Sequence, residues 1–316
     1  MAHINFEMVE KVVTKIKALA LDGVRALDFT EEDKFPTVGD LGALNYFFAV
    51  TMHDYGFWIG DKNGYVEPLY GEVGGKKLKG SDLLWTLSMK AYKERGPEFF
   101  EPVNLAVIKS GDFYRWLPKS TGFQDIGFRH KMTLLYGTYF MFSYNSGSPS
   151  EILLKANQDG RPLSAFLELT REIDGYNKDH LFKKNLLLAM ILANRPEGFL
   201  HVKPEDFKDP IVDYHLMRVA LRLGLVFLNW IEWDFISKRK WVDEWLETDI
   251  RAKTFQAVKT VIELSGKPMS EIDFLLWSAR RYCPEMTVPD CPECIFNDVC
   301  QKKVELFQPV FRTTNY

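Results

Sequence analysis

Residues 283–300 read CPEMTVPDCPECIFNDVC, four cysteines in eighteen residues at the spacing C-x7-C-x2-C-x5-C. The chain holds no other cysteine. Four thiolates this close together, in a loop held open by Pro284, Pro289 and Pro292, suit one metal centre. Either a [4Fe–4S] cluster or structural zinc takes such a set, with Cys283, Cys291, Cys294 and Cys300 as ligands. Four cysteines are too few to staple a secreted chain of 316 residues, and disulfides are disfavoured in a reducing compartment.

Seventy residues before Cys283, residues 211–226 read IVDYHLMRVALRLGLV. Asp213 stands directly before a run of helical periodicity, the position from which a carboxylate caps a first turn. Most of the rest is also helical in period. Residues 7–20 place Met8, Val12, Val13, Ile16 and Leu19 on one face, and a second helix is expected from Asp40 to Met52. Residues 57–80 differ: they are rich in glycine, and their Asn63-Gly64 and Gly74-Gly75 pairs predict a small β-ribbon. Ser81 is then expected to cap a helix. Further helices are expected over Arg129–Phe142, from Ser148, over PLSAFLELTREI (162–173) and KKNLLLAMILAN (183–194), from Asp213, and on to Arg281.

The expected fold class is therefore mainly all-α, in two lobes, with one β-ribbon near residues 57–80 and a C-terminal cysteine loop. The expected divisions are 1–128, an N-terminal helical lobe with the ribbon; 129–225, a lobe ending in the Asp213 segment; and 226–316, C-terminal helices and the cysteine loop packing back on the first lobe. Composition sets the outer limits. Hydrophobic residues are 46% and charged residues 26%, which excludes collagen-like, disordered and disulfide-scaffold classes. Aromatics reach 14%. A net charge of −3 argues against coating nucleic acid by bulk charge, though not against a local basic stripe. The N-terminus lacks the apolar core of a signal peptide, and no apolar run is long enough to cross a bilayer. A cytoplasmic monomer without membrane contact is expected.

The cysteine loop, preceded by Leu276-Trp277-x3-Arg281-x-Cys283 and followed by Lys302 and Lys303, resembles the C-terminus of the endonuclease III-like group of helix-hairpin-helix DNA glycosylases. That group uses C-x6-C-x2-C-x5-C, so the first interval here is one residue longer. The segment around Asp213 is similar to its V-D-T-H-x-x-R-V. The resemblance implies a [4Fe–4S] cluster, with zinc as the alternative, and a catalytic role for Asp213. It also implies phosphate contact for Lys302 and Lys303, which composition alone reads as a solvated tail. Arg218 falls where it meets either a phosphate or an acidic neighbour, and His215 reads as structural.

The hairpin of that group, L-P-G-[VI]-G-x-K, is not kept. Only Gly175 survives in the corresponding stretch, Ile173-DGYNKDHLFKKNLLLAMILA. Lys183 and Lys184 stand where a Schiff-base lysine is expected; such a pair is otherwise a phosphate contact or a solvated pair at a helix start. Phe182-Lys183-Lys184 and Asp213-Tyr214 instead resemble the queuosine salvage N-glycosylases. LNYFFAVTMHDYGFW (44–58) and SPSEILLKANQDGRPLSAFLELTREI (148–173) are similar to that family too. The salvage family carries no cysteine cluster, so the chain combines two patterns. On this resemblance His53, Asp54, Tyr55, Phe57, Trp58 and Tyr214 help to line a base pocket. A core helix ending at Gly56 is the plainer reading. Tyr114, Arg115 and Trp116 are a second wall or more core.

Three functions follow. The first is a DNA glycosylase that flips a bulky modified base out of the stack and hydrolyses its N-glycosidic bond, with Asp213 stabilising oxocarbenium character and activating the nucleophile. The second is a small-molecule N-glycosidase releasing a queuine-like base from a free modified nucleotide. The third is a cluster-bearing binding protein without activity, against which the retained Asp213 argues.

Overall fold

The computed structural model describes residues 1–19, 27–143 and 147–316. Strand β1 (His3–Ile4) leads into helix α1 (Phe6–Ala18), where Asn5 accepts the Met8 amide at 3.3 Å as a cap. Residue 20, the end of the helix expected over 7–20, lies outside the described residues. Then come α2 (Ala43–Thr51), strands β2 (Trp58–Asp61), β3 (Gly64–Pro68), β4 (Tyr70–Val73) and β5 (Lys76–Lys79), and helix α3 (Gly80–Arg95). The chain continues through α4 (Pro102–Leu105), α5 (Ser110–Trp116), α6 (Ile126–Phe142), α7 (Pro149–Gln158), α8 (Pro162–Thr170) and α9 (Lys183–Asn194). It ends with α10 (Tyr214–Leu223), β6 (Val226–Phe227), α11 (Trp230–Ser237), α12 (Glu244–Ser265), α13 (Met269–Ser278) and the cysteine loop.

The protein is mainly helical, as expected, with small two-stranded sheets. Two local readings change. The single ribbon over 57–80 is two hairpins, β2 with β3 and β4 with β5. Ser81 does not cap α3: the helix begins at Gly80, whose φ of +51° turns the strand into the helix two residues earlier than a Ser81 cap would. No side chain caps that end.

Two compact units divide the chain, each discontinuous in sequence. One joins the N-terminal residues to Gly60–Glu67 and Pro204–Arg312. Its α1 packs along α12, burying Val9, Val12 and Ile16 on one side and Ile250, Ala257 and Val261 on the other. β1 pairs with β6, His3 opposite Phe227 and Ile4 opposite Val226. α10 packs on α12 and α13, and every one of its residues is buried. A helix covered on all sides is a rigid base for whatever stands at its ends.

The other unit comprises Leu27–Ile59, Pro68–Lys203 and Thr313–Tyr316. Helix α9 is its apolar centre, packed on α2 and α8. Aromatic residues fill the space beside α2 and α3: Tyr46 and Phe100 stand 5.1 Å apart, as do Phe100 and Trp116, each pair edge to face. Much of the aromatic excess is therefore core. Among the described residues no helix is long and apolar enough to cross a membrane.

Candidate catalytic carboxylate and metal centre

Asp213 is the N-cap of α10. Its backbone is extended, and Oδ1 accepts the Leu216 amide at 2.8 Å. The helix dipole favours a negative charge at this end. The residue is half-buried, although Val212 before it and Tyr214 after it are buried. Arg251 of α12, itself 1% exposed, donates to the Val212 carbonyl through Nε at 3.3 Å and Nη2 at 3.1 Å. The peptide in front of Asp213 is thus pinned from one side and its carboxylate from the other.

His215, Arg218 and Arg222 follow on α10 at helical spacing and meet the cysteine loop. Arg218 donates to Glu285 Oε1 at 3.4 Å and Gln308 Oε1 at 2.8 Å, and to His215 Nδ1 at 2.9 Å. The same His215 Nδ1 lies 3.2 Å from Glu285 Oε1. Glu285 is 2% exposed and Arg218 fully buried. Of the two partners expected for Arg218, the structure supplies the acidic neighbour. Tyr214, expected at a base pocket, is 4% exposed, and its ring lies 4.3 Å from that of His215.

The four cysteines are half-buried in a loop whose own turns satisfy much of its backbone: Cys283 N to Ala279 O at 2.9 Å, Cys294 N to Cys291 O at 3.1 Å, Cys300 N to Phe296 O at 2.8 Å. Burial and then the neighbouring thiols push Cys300 up to about 11 and raise Cys294. Their anions are therefore costly without a cation. Backbone and side-chain donors already point at the sulfurs, with Lys302 N 3.3 Å from Cys300 and Arg222 Nη1 3.2 Å from Cys283. Among the described residues, no group of three or more His, Cys, Asp or Glu side chains is placed to hold a metal ion. A [4Fe–4S] cluster takes one thiolate per iron and needs no such convergence. The donor set, the N–H groups aimed at sulfur and the mutual influence of the thiols fit that group. Of the basic residues beside the loop, Lys302 is exposed, while the Lys303 amine lies over the Phe227 ring at 4.2 Å.

The remaining candidates belong to the other unit. His53 is fully buried, its Nε2 3.1 Å from Thr133 Oγ1 and its ring between Phe113 and Trp116. Burial, reinforced by Arg129 and Lys184, holds the imidazole well below its ordinary range, so it is neutral. Phe57 and Trp58 are each 5% exposed, and the Trp116 indole donates to Ser88 Oγ at 2.9 Å. These side chains lie in the core, the plainer of the two readings.

Lys183 and Lys184 are buried at the start of α9, so the solvated pair is excluded. Lys183 is ion-paired with Asp54 and also donates to the Asp54 carbonyl at 2.8 Å. Lys184 donates to the Met52 carbonyl at 3.1 Å and, among the described residues, forms no ion pair with a carboxylate. Burial and the adjacent Lys183 charge lower its pKa to about 7. Its side chain lines a cavity of about 100 Å³ with Asp174, Gly175, Lys178, Lys131 and Met132. At neutral pH a large fraction of Lys184 is a free amine, the form that attacks a carbonyl.

Three supporting residues escaped the sequence reading. Arg251 fixes the peptide before Asp213. Arg129 grips the carbonyls of His53 and Tyr55 from α6. Asp179 accepts the Lys183 amide at 2.8 Å and the Leu181 amide at 3.1 Å. Asp179 had a local signal, an aspartate four residues before a helix start; the two arginines act across long stretches of chain and had none. No protein-family model matches the chain, and no curated protein matches it either.

Proposed function

We propose that this protein is an N-glycosylase that hydrolyses the bond between a modified nucleobase and its sugar, with Asp213 as the catalytic carboxylate. The observation that carries this reading is Asp213 itself, anchored through the Leu216 amide to a wholly buried helix yet half-open to solvent. Departure of a base leaves positive oxocarbenium character on the sugar. A carboxylate held in place stabilises that charge without reorganising, and it can take a proton from the attacking water. The likeness to the helix-hairpin-helix DNA glycosylases supports DNA as the substrate, with the damaged or modified base flipped from the stack.

Cys283, Cys291, Cys294 and Cys300 would hold a [4Fe–4S] cluster. Bound there, it would brace the loop against α10; the hydrolysis itself needs no electron. One observation favours a second reading, release of a base from a free modified nucleotide. Lys183, Lys184 and Arg218 are all buried, which removes three cations from any surface meeting a DNA backbone.

The test is mass spectrometry of bases released from duplex DNAs carrying modified bases and from the matching free nucleotides. Asn caps a helix as well as Asp does, so Asp213→Asn should fold. Base release should fall by about 10²-fold or more, the usual worth of a positioned acid–base group. A folded Asp213→Asn protein with wild-type turnover refutes the assignment. Release from duplex, with binding that weakens steeply in salt, selects DNA; release from nucleotides alone selects the second reading.

A further inference from the structure

Arg222 touches the cysteine loop at both ends. Its guanidinium donates to Cys283 Sγ at 3.2 Å and the Pro284 carbonyl at 3.0 Å, while Nε donates to the Leu306 carbonyl at 2.7 Å. Its own carbonyl accepts the Cys300 thiol at 3.5 Å and the Lys303 amide at 3.1 Å. The next carbonyl, of Leu223, accepts the Gln301 amide at 3.2 Å. The first and last cysteines of the loop are therefore joined through one residue of α10. The side chain is only 3% exposed, so its charge acts on the sulfur with little screening by water.

We propose that Arg222 is a positioning residue of the metal centre: it clamps Cys283 to Cys300, and its N–H bond to sulfur raises the potential at which the centre accepts an electron. The inference rests on reading the loop as a [4Fe–4S] site. A donor and a positive charge at a thiolate ligand both stabilise the more negative, reduced state. With Cys300 bound as a thiolate its proton is gone, and the contacts of Arg222 with Cys283, Pro284, Leu306 and the Lys303 amide hold the loop ends together when a chelator competes for iron. Lysine keeps the charge at this position but loses the planar fork that reaches both Cys283 and Pro284.

The experiment uses the full chain, purified or reconstituted anaerobically, as wild type, Arg222→Met and Arg222→Lys, with folding followed by circular dichroism. Iron and sulfide are assayed, the midpoint potential is measured by dithionite titration under electron paramagnetic resonance, and the rate of bleaching by a chelator is recorded. Arg222→Met should have a more negative midpoint and bleach about 10-fold faster or more, the usual scale for losing an outer partner of a metal ligand. Arg222→Lys should fall between. A folded Arg222→Met protein with wild-type midpoint and bleaching rate overturns the proposal. Should the methionine variant not fold, a lysine variant indistinguishable from wild type in both readouts overturns it. Wild-type protein that holds zinc and no iron overturns the cluster reading and this proposal with it. Wild-type protein with a full cluster but unaffected variants overturns this proposal alone.

Discussion

Lys183 and Lys184 are adjacent in sequence and differ in chemistry because one has a carboxylate and the other does not. Lys183 is paired with Asp54, whereas the Lys184 amine, with its pKa lowered to about 7, borders a cavity. That shift has a sign in stability. Below about pH 7 both folded and unfolded chains carry the Lys184 proton, and the burial cost is constant. Above it the folded chain releases the proton while the unfolded chain keeps it up to about 10.4, so stability rises with pH by up to about 1.4 kcal/mol per unit. Near pH 9 and above, the tyrosines whose ionisation burial suppresses, Tyr46, Tyr136, Tyr176 and Tyr214, begin to act in the opposite sense. Urea unfolding between about pH 7 and 9 should therefore show this rise in wild type and lose it in Lys184→Met; equal slopes would mean that Lys184 is charged in the folded protein. The site was legible in sequence where its logic is local. Asp213 reads as a cap because its partner, Leu216, is three residues away. Arg251 and Arg129 did not, because their meaning lies in carbonyls on remote segments.

At the scale of elements, α9 spans the same residues the sequence predicts, Lys183–Asn194, because strong helix formers and an unbroken apolar run leave it one option. Ser148 caps α7 as its Ser-Pro-Ser start suggests, accepting the Glu151 amide at 3.3 Å. The ribbon was read only coarsely, since two glycine turns in succession are equally a ribbon or two hairpins until pairing partners are known. Packing between helices was not legible. Gly137 in α6 looks like a weak point in a helix, but it marks where α4 crosses. A Cβ there would run into the Ala106 amide and the Pro102 carbonyl, both backbone. Gly137→Ala, normally favourable in a helix, should instead destabilise by about 1–3 kcal/mol through overpacking. Thermal unfolding measures it, and a variant at least as stable as wild type would show that α4 yields at no cost.

At the scale of the whole molecule, periodicity indicates a mainly helical protein and composition an ordinary apolar content, but neither indicates how the chain is shared between its two units. Each unit takes up segments far apart in sequence, and no composition change marks the crossings at Gly60, Pro68 and Pro204. The cysteine loop belongs to the unit that also contains α1 and α10–α13. There α10 is tied to it at three residues: His215 and Arg218 meet Glu285, and Arg222 meets Cys283. Four half-buried thiols, two of which, Cys294 and Cys300, are made costly to ionise by burial, would hold such a loop closed better around a cation than without one. On the proposed metal reading, removing the metal should therefore act on one unit. In hydrogen exchange of the chelator-treated and metal-loaded full chain, amides of the cysteine loop should lose protection most, followed by those of α10. Amides of α2 and α9, in the other unit, should exchange at the same rates in both samples. Loss of protection spread evenly over both units would make the metal centre a determinant of the entire fold, and unchanged exchange in the loop would mean that the cysteines need no metal to hold their shape.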